Sequence, residues 1–340
     1  MTETRPVTIA DVAALAGVSI GTVSKALNGR GQLRAQTRDR VLAAADQLGF
    51  RPSPLARGLL SGRSYTVGLI TTDSFGRFTI PVMMGAEDGL GQGELSVLLC
   101  DGRSDPIREQ HYVRTLLSRK VDGIIVTGRR TDLRPPIAAT LPVPVVYVMT
   151  QSENPDDISL IPDDEHGGEL ATAHLASSGR TQIAHITGPE RFLCARQRAT
   201  GVSRVLDEAG LALATGRVHY GEWSEGWGRQ AAHTVLRADP DVDAIFCGSD
   251  QIARGVADAL REAGRRIPDD IALVGYDNWD VFAQTSRPPL TTVDMCLTEL
   301  GQLAARKLLA EIGGEPSHGP ERLPCRLVIR ESTGAGAPAL

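Results

Sequence analysis

The spacing of apolar positions changes character once along the chain. Over residues 8–48 they recur three and four apart, as in amphipathic helices, whereas from Thr66 onward short β-branched runs alternate with helical stretches. In the first part Ile9, Val12, Ala13 and Ala16 form one stripe. Thr8 with Asp11 three residues on makes a capping box, and Gly17 stops the helix. Ser19 caps a second helix that turns Val23 and Leu27 inward and leaves Ile20, Gly21, Ser24, Lys25 and Asn28 outward. A third helix over residues 37–48 carries Val41, Leu42, Ala45 and Leu48 on its apolar side and ends at Gly49. The first two helices read as a helix-turn-helix whose second helix suits a DNA major groove.

Ser53 can cap and Pro54 can open a further helix over residues 53–60, too short to stand alone. Strands are expected over 67–71, 97–100, 123–126, 143–148, 183–187, 244–247 and 272–275. Helices are expected over 108–119, 166–178, 194–209, 227–237, 250–263 and 297–312. The fold class is therefore an all-α helix-turn-helix head followed by an α/β body with parallel sheets. The tail over residues 334–340 has little to pack.

Charge sharpens the division. Nine Lys or Arg against four acids put residues 1–63 at +5, which leaves the remainder of this −5 chain at −10. A basic head on an acidic body is the distribution expected when one small domain neutralises phosphates. A length of 340 residues calls for more than one domain. Five scattered cysteines without a C-x-x-C give neither a disulfide framework nor a zinc site. No apolar run approaches a signal segment or a membrane span, so a cytoplasmic protein without membrane contact is expected. Seven histidines show no metal spacing, and no G-x-S-x-G or P-loop occurs. Gly89-Leu-Gly-Gln-Gly93 reads as a turn, and Asp163-Asp164 as a helix cap beside solvent. No catalytic residue, metal or cofactor is expected.

The head segments Thr8-Ile-Ala-Asp-Val-Ala-Ala-Leu-Ala-Gly-Val-Ser19, Thr22-Val-Ser-Lys-Ala-Leu-Asn28, Thr37-Arg-Asp-Arg-Val-Leu42 and Leu48-Gly-Phe-Arg-Pro52 are followed by five body segments. These are Val121-Asp-Gly-Ile-Ile125, Arg198-Ala-Thr-Gly201, Ala244-Ile-Phe-Cys-Gly-Ser-Asp250, Val274-Gly-Tyr-Asp-Asn278 and Pro289-Leu-Thr-Thr-Val293. In this order the chain resembles the lactose/galactose-repressor (LacI/GalR) family of bacterial transcription factors over nearly its whole length. The resemblance implies a helix-turn-helix domain over 1–50, a hinge helix and linker over 51–64, and an effector-binding and dimerisation domain over 65–340. That body implies a type I periplasmic-binding-protein-like fold. Its amino-terminal subdomain would cover about 65–163 and 293–323, its carboxy-terminal one about 164–292 and 324–340, with crossovers near Asp163, Thr292 and Leu323.

The resemblance also implies a homodimer on near-palindromic double-stranded operator DNA. Ile20, Gly21 and Lys25 would read bases, and Thr8, Ser19, Thr22, Ser24, Asn28 and Arg38 would serve as further DNA contacts, chiefly to phosphate. In the hinge, Leu55, Ala56, Arg57 and Leu59 would enter the minor groove, Leu59 as the wedge. Arg34 stands where the family commonly caps the third helix with Ser, a loss of about 1 kcal/mol. Effector contacts carried over by motif are Asp73, Phe78, Asp101, Arg198, Trp223, Ser249 and Asp277. Guanidinium, carboxylates and flat rings suit a sugar. Ser249 and Met295 replace longer or more polar residues of some relatives, which favours a di- or oligosaccharide. Trp227 and Trp279 lie in or near cleft-forming loops. The expected function is a repressor of carbohydrate-use genes released by its sugar. The alternatives are a regulator that binds DNA better with a corepressor, a cytoplasmic or transport-type sugar-binding protein, and a sugar-metabolising enzyme.

Overall fold

Three helices make the head: α1 (Ile9–Ala16), α2 (Ile20–Leu27) and α3 (Ala35–Gln47). The computed structural model describes residues 7–27, 32–50, 63–91 and 96–334. The Asp11 carboxylate accepts the Thr8 backbone N–H at 2.8 Å and its hydroxyl at 2.6 Å, which fixes the entry to α1. Gly17 takes φ 61°, and the Val18 N–H donates to the Ala13 carbonyl at 3.1 Å, so α1 ends in a left-handed cap. The chain then bends by 101° into α2. The Ser19 hydroxyl accepts the Thr22 N–H at 3.2 Å and caps this second helix. Val12, Ala13, Ala16, Val23, Ala26, Val41, Ala44 and Ala45 form the core.

Two inward positions differ from the periodic reading. Ala26 is buried while Leu27 is half-buried, and Ala44 is buried while Leu42 is 46% exposed. With valine and alanine facing one another the helices sit close, Leu27 packs half-buried against that core, and Leu42 is left outside it. α3 starts two residues earlier than expected. Its N-cap Arg34 is extended and makes no side-chain capping bond, because a guanidinium has no acceptor. Asn28 and the hinge positions Leu55, Ala56, Arg57 and Leu59 lie outside the described residues.

A second unit begins at Thr66. Its first sheet has the order β13-β7-β5-β3-β1-β2, from β1 (Thr66–Thr71), β2 (Ser96–Asp101), β3 (Gly123–Thr127), β5 (Val145–Val148), β7 (Ile158–Pro162) and β13 (Pro320–Leu323), all parallel. The second has the order β14-β12-β11-β10-β8-β9, from β8 (Ile183–Thr187), β9 (His219–Tyr220), β10 (Ala244–Cys247), β11 (Ala272–Tyr276), β12 (Thr291–Asp294) and β14 (Arg326–Val328). Only β14 runs antiparallel to its neighbour. Short β4 (Leu133–Arg134) and β6 (Gln151–Ser152) pair beside them. The chain passes between the large sheets three times, from β7 across Asp163, from β12 across Met295 and from β13 to β14.

The helices that cover these sheets are α4 (Thr79–Gly89), α5 (Pro106–Ser118), α6 (Asp164–Ser177), α7 (Leu193–Glu208), α8 (Glu225–Ala238), α9 (Asp250–Glu262), a short α10 (Asp280–Ala283) and α11 (Leu297–Ile312). Three pairs of them meet through reciprocal glycines. A Cβ on Gly85 would lie 1.9 Å from the Thr298 carbonyl oxygen, and one on Gly301 2.1 Å from that of Val82. Gly168 and Gly201 join α6 to α7 in the same way, as Gly228 and Gly255 join α8 to α9. Helix backbones in such contact position the side chains at their ends within narrow limits. α4, which carries Pro81, Gly85 and Gly89, escaped the periodic reading because its residues are poor helix formers and its order comes from α11. β7 escaped it because Ile158-Ser-Leu-Ile-Pro162 follows an Asn- and Asp-rich turn and ends in proline.

Candidate functional site

On the head, α2 presents Ile20, 52% exposed, together with exposed Gly21 and Lys25. Ser19 is exposed and its hydroxyl lies 3.0 Å from that of Thr22, while Thr22 and Ser24 are half-buried. Ile20, at the first position of this capped helix, stands outside the core of the head. Thr8 is half-buried at the start of α1. Arg38 is half-buried too, with its Nε buried and without a partner among the described residues.

In the body a cavity of about 670 Å³ opens at the carboxyl ends of the strands of both large sheets, the usual ligand position in open α/β folds. Phe78, Arg198, Trp223, Ser249 and Asp277 all line it. Arg198 is buried. Its Nε donates to Asp164 Oδ1 at 2.8 Å, its Nη1 donates to the Gly248 carbonyl at 2.5 Å, and its guanidinium lies 3.5 Å over the Tyr276 ring and 5.7 Å from that of Trp223. Burial alone would lower the Arg198 pKa, but the Asp164 carboxylate outweighs it and holds the group above its ordinary value. The Tyr276 hydroxyl donates to the same Asp164 oxygen at 3.0 Å. Asp164 is therefore not a solvent-facing cap. It is 1% exposed, and Asp163 alone caps α6 by accepting the His166 N–H. The Gly168–Gly201 contact between α6 and α7 sets this arrangement, since a Cβ on Gly168 would lie 2.3 Å from the Arg198 carbonyl oxygen.

Glycines at strand ends leave room for the other walls. A Cβ on Gly188 would lie 2.1 Å from Trp223 Cε2, and one on Gly275 would lie 2.2 Å from Asp250 Oδ1. Asp250 is fully buried, accepting the Thr292 hydroxyl at 2.6 Å and the Trp279 N–H at 2.7 Å, and burial pushes its pKa up to about 7. The Ser249 hydroxyl caps α9 by accepting the Ile252 N–H at 3.1 Å, so local structure already uses one of its lone pairs. Asp277 has φ 106°, rare for a residue with a side chain, and its carboxylate forms an ion pair with Arg77.

Asp73 and Asp101 lie off the cavity wall. Asp73 accepts the Phe78 and Thr79 N–H groups at 2.8 and 3.1 Å and so caps α4, while Asp101 accepts the Arg103 N–H at 2.9 Å in its own turn. Trp227 packs over Gly221 and donates its indole N–H to the Thr187 carbonyl at 3.0 Å, as a wall-supporting residue. Trp279 stacks on Arg77 instead. Besides Asp164 and Tyr276, sequence reasoning missed several residues of the wall. Arg77 and Phe192 had no periodic signal, and Asp132 lies in the loop after β3, where its carboxylate accepts the Leu193 N–H at 2.9 Å at the start of α7. Among the described residues no cluster of metal-ligating side chains occurs, and no helix is long and apolar enough to cross a membrane.

Residues 8–53 match the family of bacterial regulatory proteins, lacI family, and residues 172–333 match the periplasmic binding protein-like domain. The chain is 34% identical to the HTH-type transcriptional regulator CelR of Thermobifida fusca, over 98% of this chain and 100% of that one. It is 32% identical to the HTH-type transcriptional repressor PurR of Aliivibrio salmonicida, over 90% and 92%. Among solved structures, a lac repressor dimer bound to operator and the anti-inducer ONPF superposes with TM-score 0.73 at 30% identity, covering 97% of this chain and 99% of that one. A CelR–cellobiose complex superposes with TM-score 0.67 at 32% identity, covering 96% and 100%. The capped helix pair with its outward Ile20, the two-sheet body and these likenesses lead to one assignment: the chain belongs to the LacI family and is a DNA-binding transcriptional regulator.

Proposed function

We propose that this protein is a homodimeric repressor that binds a near-palindromic operator in the cytoplasm and leaves it when a saccharide enters the cleft. It carries out no catalysis. The head would extend to about residue 50, a hinge over 51–64, and the effector-binding body over 65–340. Ile20, Gly21 and Lys25 would meet base edges, Ile20 through a thymine methyl and Lys25 through guanine acceptors. Thr8, Ser19, Thr22, Ser24, Asn28 and Arg38 would supply further contacts, chiefly to phosphate, with Leu55, Ala56 and Arg57 of the hinge in the minor groove and Leu59 as the wedge.

The observation that carries the effector reading is the buried Arg198–Asp164–Tyr276 network beside Trp223. Rigid charged donors next to a flat ring bind the hydroxyls and the apolar face of a pyranose. The roughly 670 Å³ of space and the small side chain of Ser249 suit a disaccharide, and the similar transcriptional regulator CelR is solved in complex with cellobiose. Phe78 and Asp277 would complete the contacts. Asp73 would act indirectly, by seating Phe78.

The test is to select duplexes from a randomised pool with the full chain and titrate the winner by fluorescence anisotropy at fixed salt, with and without cellobiose and a panel of mono- and disaccharides. Release by a saccharide supports the proposal, and tighter binding with ligand makes the protein a corepressor-dependent regulator. Failure to enrich any sequence overturns it.

A further inference from the structure

We propose that Arg77 is a built-in occupant of the effector subsite, a side chain that a saccharide ring must displace. The inference deepens the saccharide reading of the cleft and rests on it. Arg77 lies in the loop between β1 and α4, on the side of the first sheet, and Asp277 follows β11 of the second, so their ion pair links the two halves of the body across the cavity they both line. The guanidinium lies against two rings, 4.8 Å from the Phe78 centroid and 4.4 Å from that of Trp279. The guanidinium thus takes up two aromatic rings and a carboxylate that a pyranose would use, its C–H face packing on the rings and its hydroxyls donating to the carboxylate.

Its anchorage is poor compared with that of the other cleft arginine. Arg198 is held by Nε donating to Asp164 and Nη1 donating to the Gly248 carbonyl, whereas Arg77 Nε is buried with no partner among the described residues. Burial also lowers the Arg77 pKa, to about 10. Asp277, in contrast, is fixed by its left-handed backbone and by its N–H donating to the Val293 carbonyl at 2.8 Å. The acceptor stays in place and the cation can be exchanged. A ligand hydroxyl that takes over Asp277 releases Arg77 and cuts the link between the halves, so ligand entry itself alters their coupling.

The first arm of the test uses a guanidinium probe, so its outcome does not depend on which saccharide is the effector. In Arg77→Ala the emptied space between Phe78, Trp279 and Asp277 should bind methylguanidinium saturably in the millimolar range, read by tryptophan fluorescence. Wild type and Arg77→Ala/Asp277→Asn should show no saturable response. Circular dichroism checks folding, and Arg77→Gln serves should the alanine variant fail to fold. The second arm titrates cellobiose, which should bind Arg77→Ala roughly tenfold more tightly than wild type, the scale of one desolvated cation–ring and ion-pair contact. The absence of saturable methylguanidinium binding in folded Arg77→Ala, an equal response in wild type, or measurable cellobiose binding that is unchanged or weakened in Arg77→Ala overturns the proposal. If methylguanidinium fills the subsite but neither cellobiose nor any other saccharide binds wild type or variant, the occupancy stands and the saccharide reading of the cleft falls.

Discussion

The two units hold themselves together in different ways. The head packs on eight buried valines and alanines, while the body buries Tyr147, Phe246, Tyr276 and many leucines and isoleucines behind two sheets. A helical unit of about fifty residues with so small a core has little stability to spare and leans on its caps. The larger core can hold charged and titratable groups out of water, and Arg198, Asp164, Asp250 and His185 are all there. In the head, then, the proposed DNA contacts lie on an exposed helix face, and in the body the proposed effector site is built around buried charge. Substitutions should affect the two units through different physics and in separate unfolding transitions.

The largest effect is expected from Asp164→Ala, which strands the Arg198 guanidinium and the Tyr276 hydroxyl. Removing one partner of a buried pair costs about 3–5 kcal/mol. The body's melting transition should fall accordingly while the head's stays, and a loss below about 1 kcal/mol would break the contrast.

Acid comes next. Burial pushes the His185 pKa down from 6.5 to about 4, so its stabilising contribution is complete above pH 6.5 and is lost as pH falls through 4. The effect is on the order of 2–3 kcal/mol. Asp250 has the opposite sign. Its contribution is complete below pH 3.8 and is lost as pH rises through about 7. Comparing wild type with His185→Phe isolates the histidine: the stability advantage of wild type should shrink between pH 7 and pH 4, and a constant difference would contradict the assignment.

Val23→Ala should cost the head about 2 kcal/mol through lost burial and a cavity, unfolding it while the body's transition is unmoved. Smallest is Arg34→Ser, which supplies the missing cap of α3 and should raise the head's stability by about 1 kcal/mol in denaturant titration.

The same contrast explains what could be read from the chain. The caps of the first two helices of the head were legible to the residue, because Thr8, Asp11, Gly17 and Ser19 act on their immediate neighbours and local chemistry decides the outcome. Strands β8 and β10 were equally plain as unbroken apolar runs. The wall of the cavity was legible in part, at Phe78, Arg198, Trp223, Ser249 and Asp277. Asp164 looked like a surface cap because its partner lies 34 positions away, and Arg77 meets an aspartate 200 positions on. Asp73 and Asp101 resembled ligand contacts by their place after strands, but their carboxylates are taken by backbone N–H groups nearby. Pattern shows which residues are polar and spaced, whereas the fold shows which of them are already satisfied.

The central claim, that DNA and saccharide bind to one coupled system, is tested most directly by calorimetric titration of cellobiose into the full chain, once free and once saturated with its selected operator. The account predicts weaker cellobiose binding on DNA, by the same factor by which cellobiose weakens operator binding. Equal cellobiose affinity in the two titrations would contradict it.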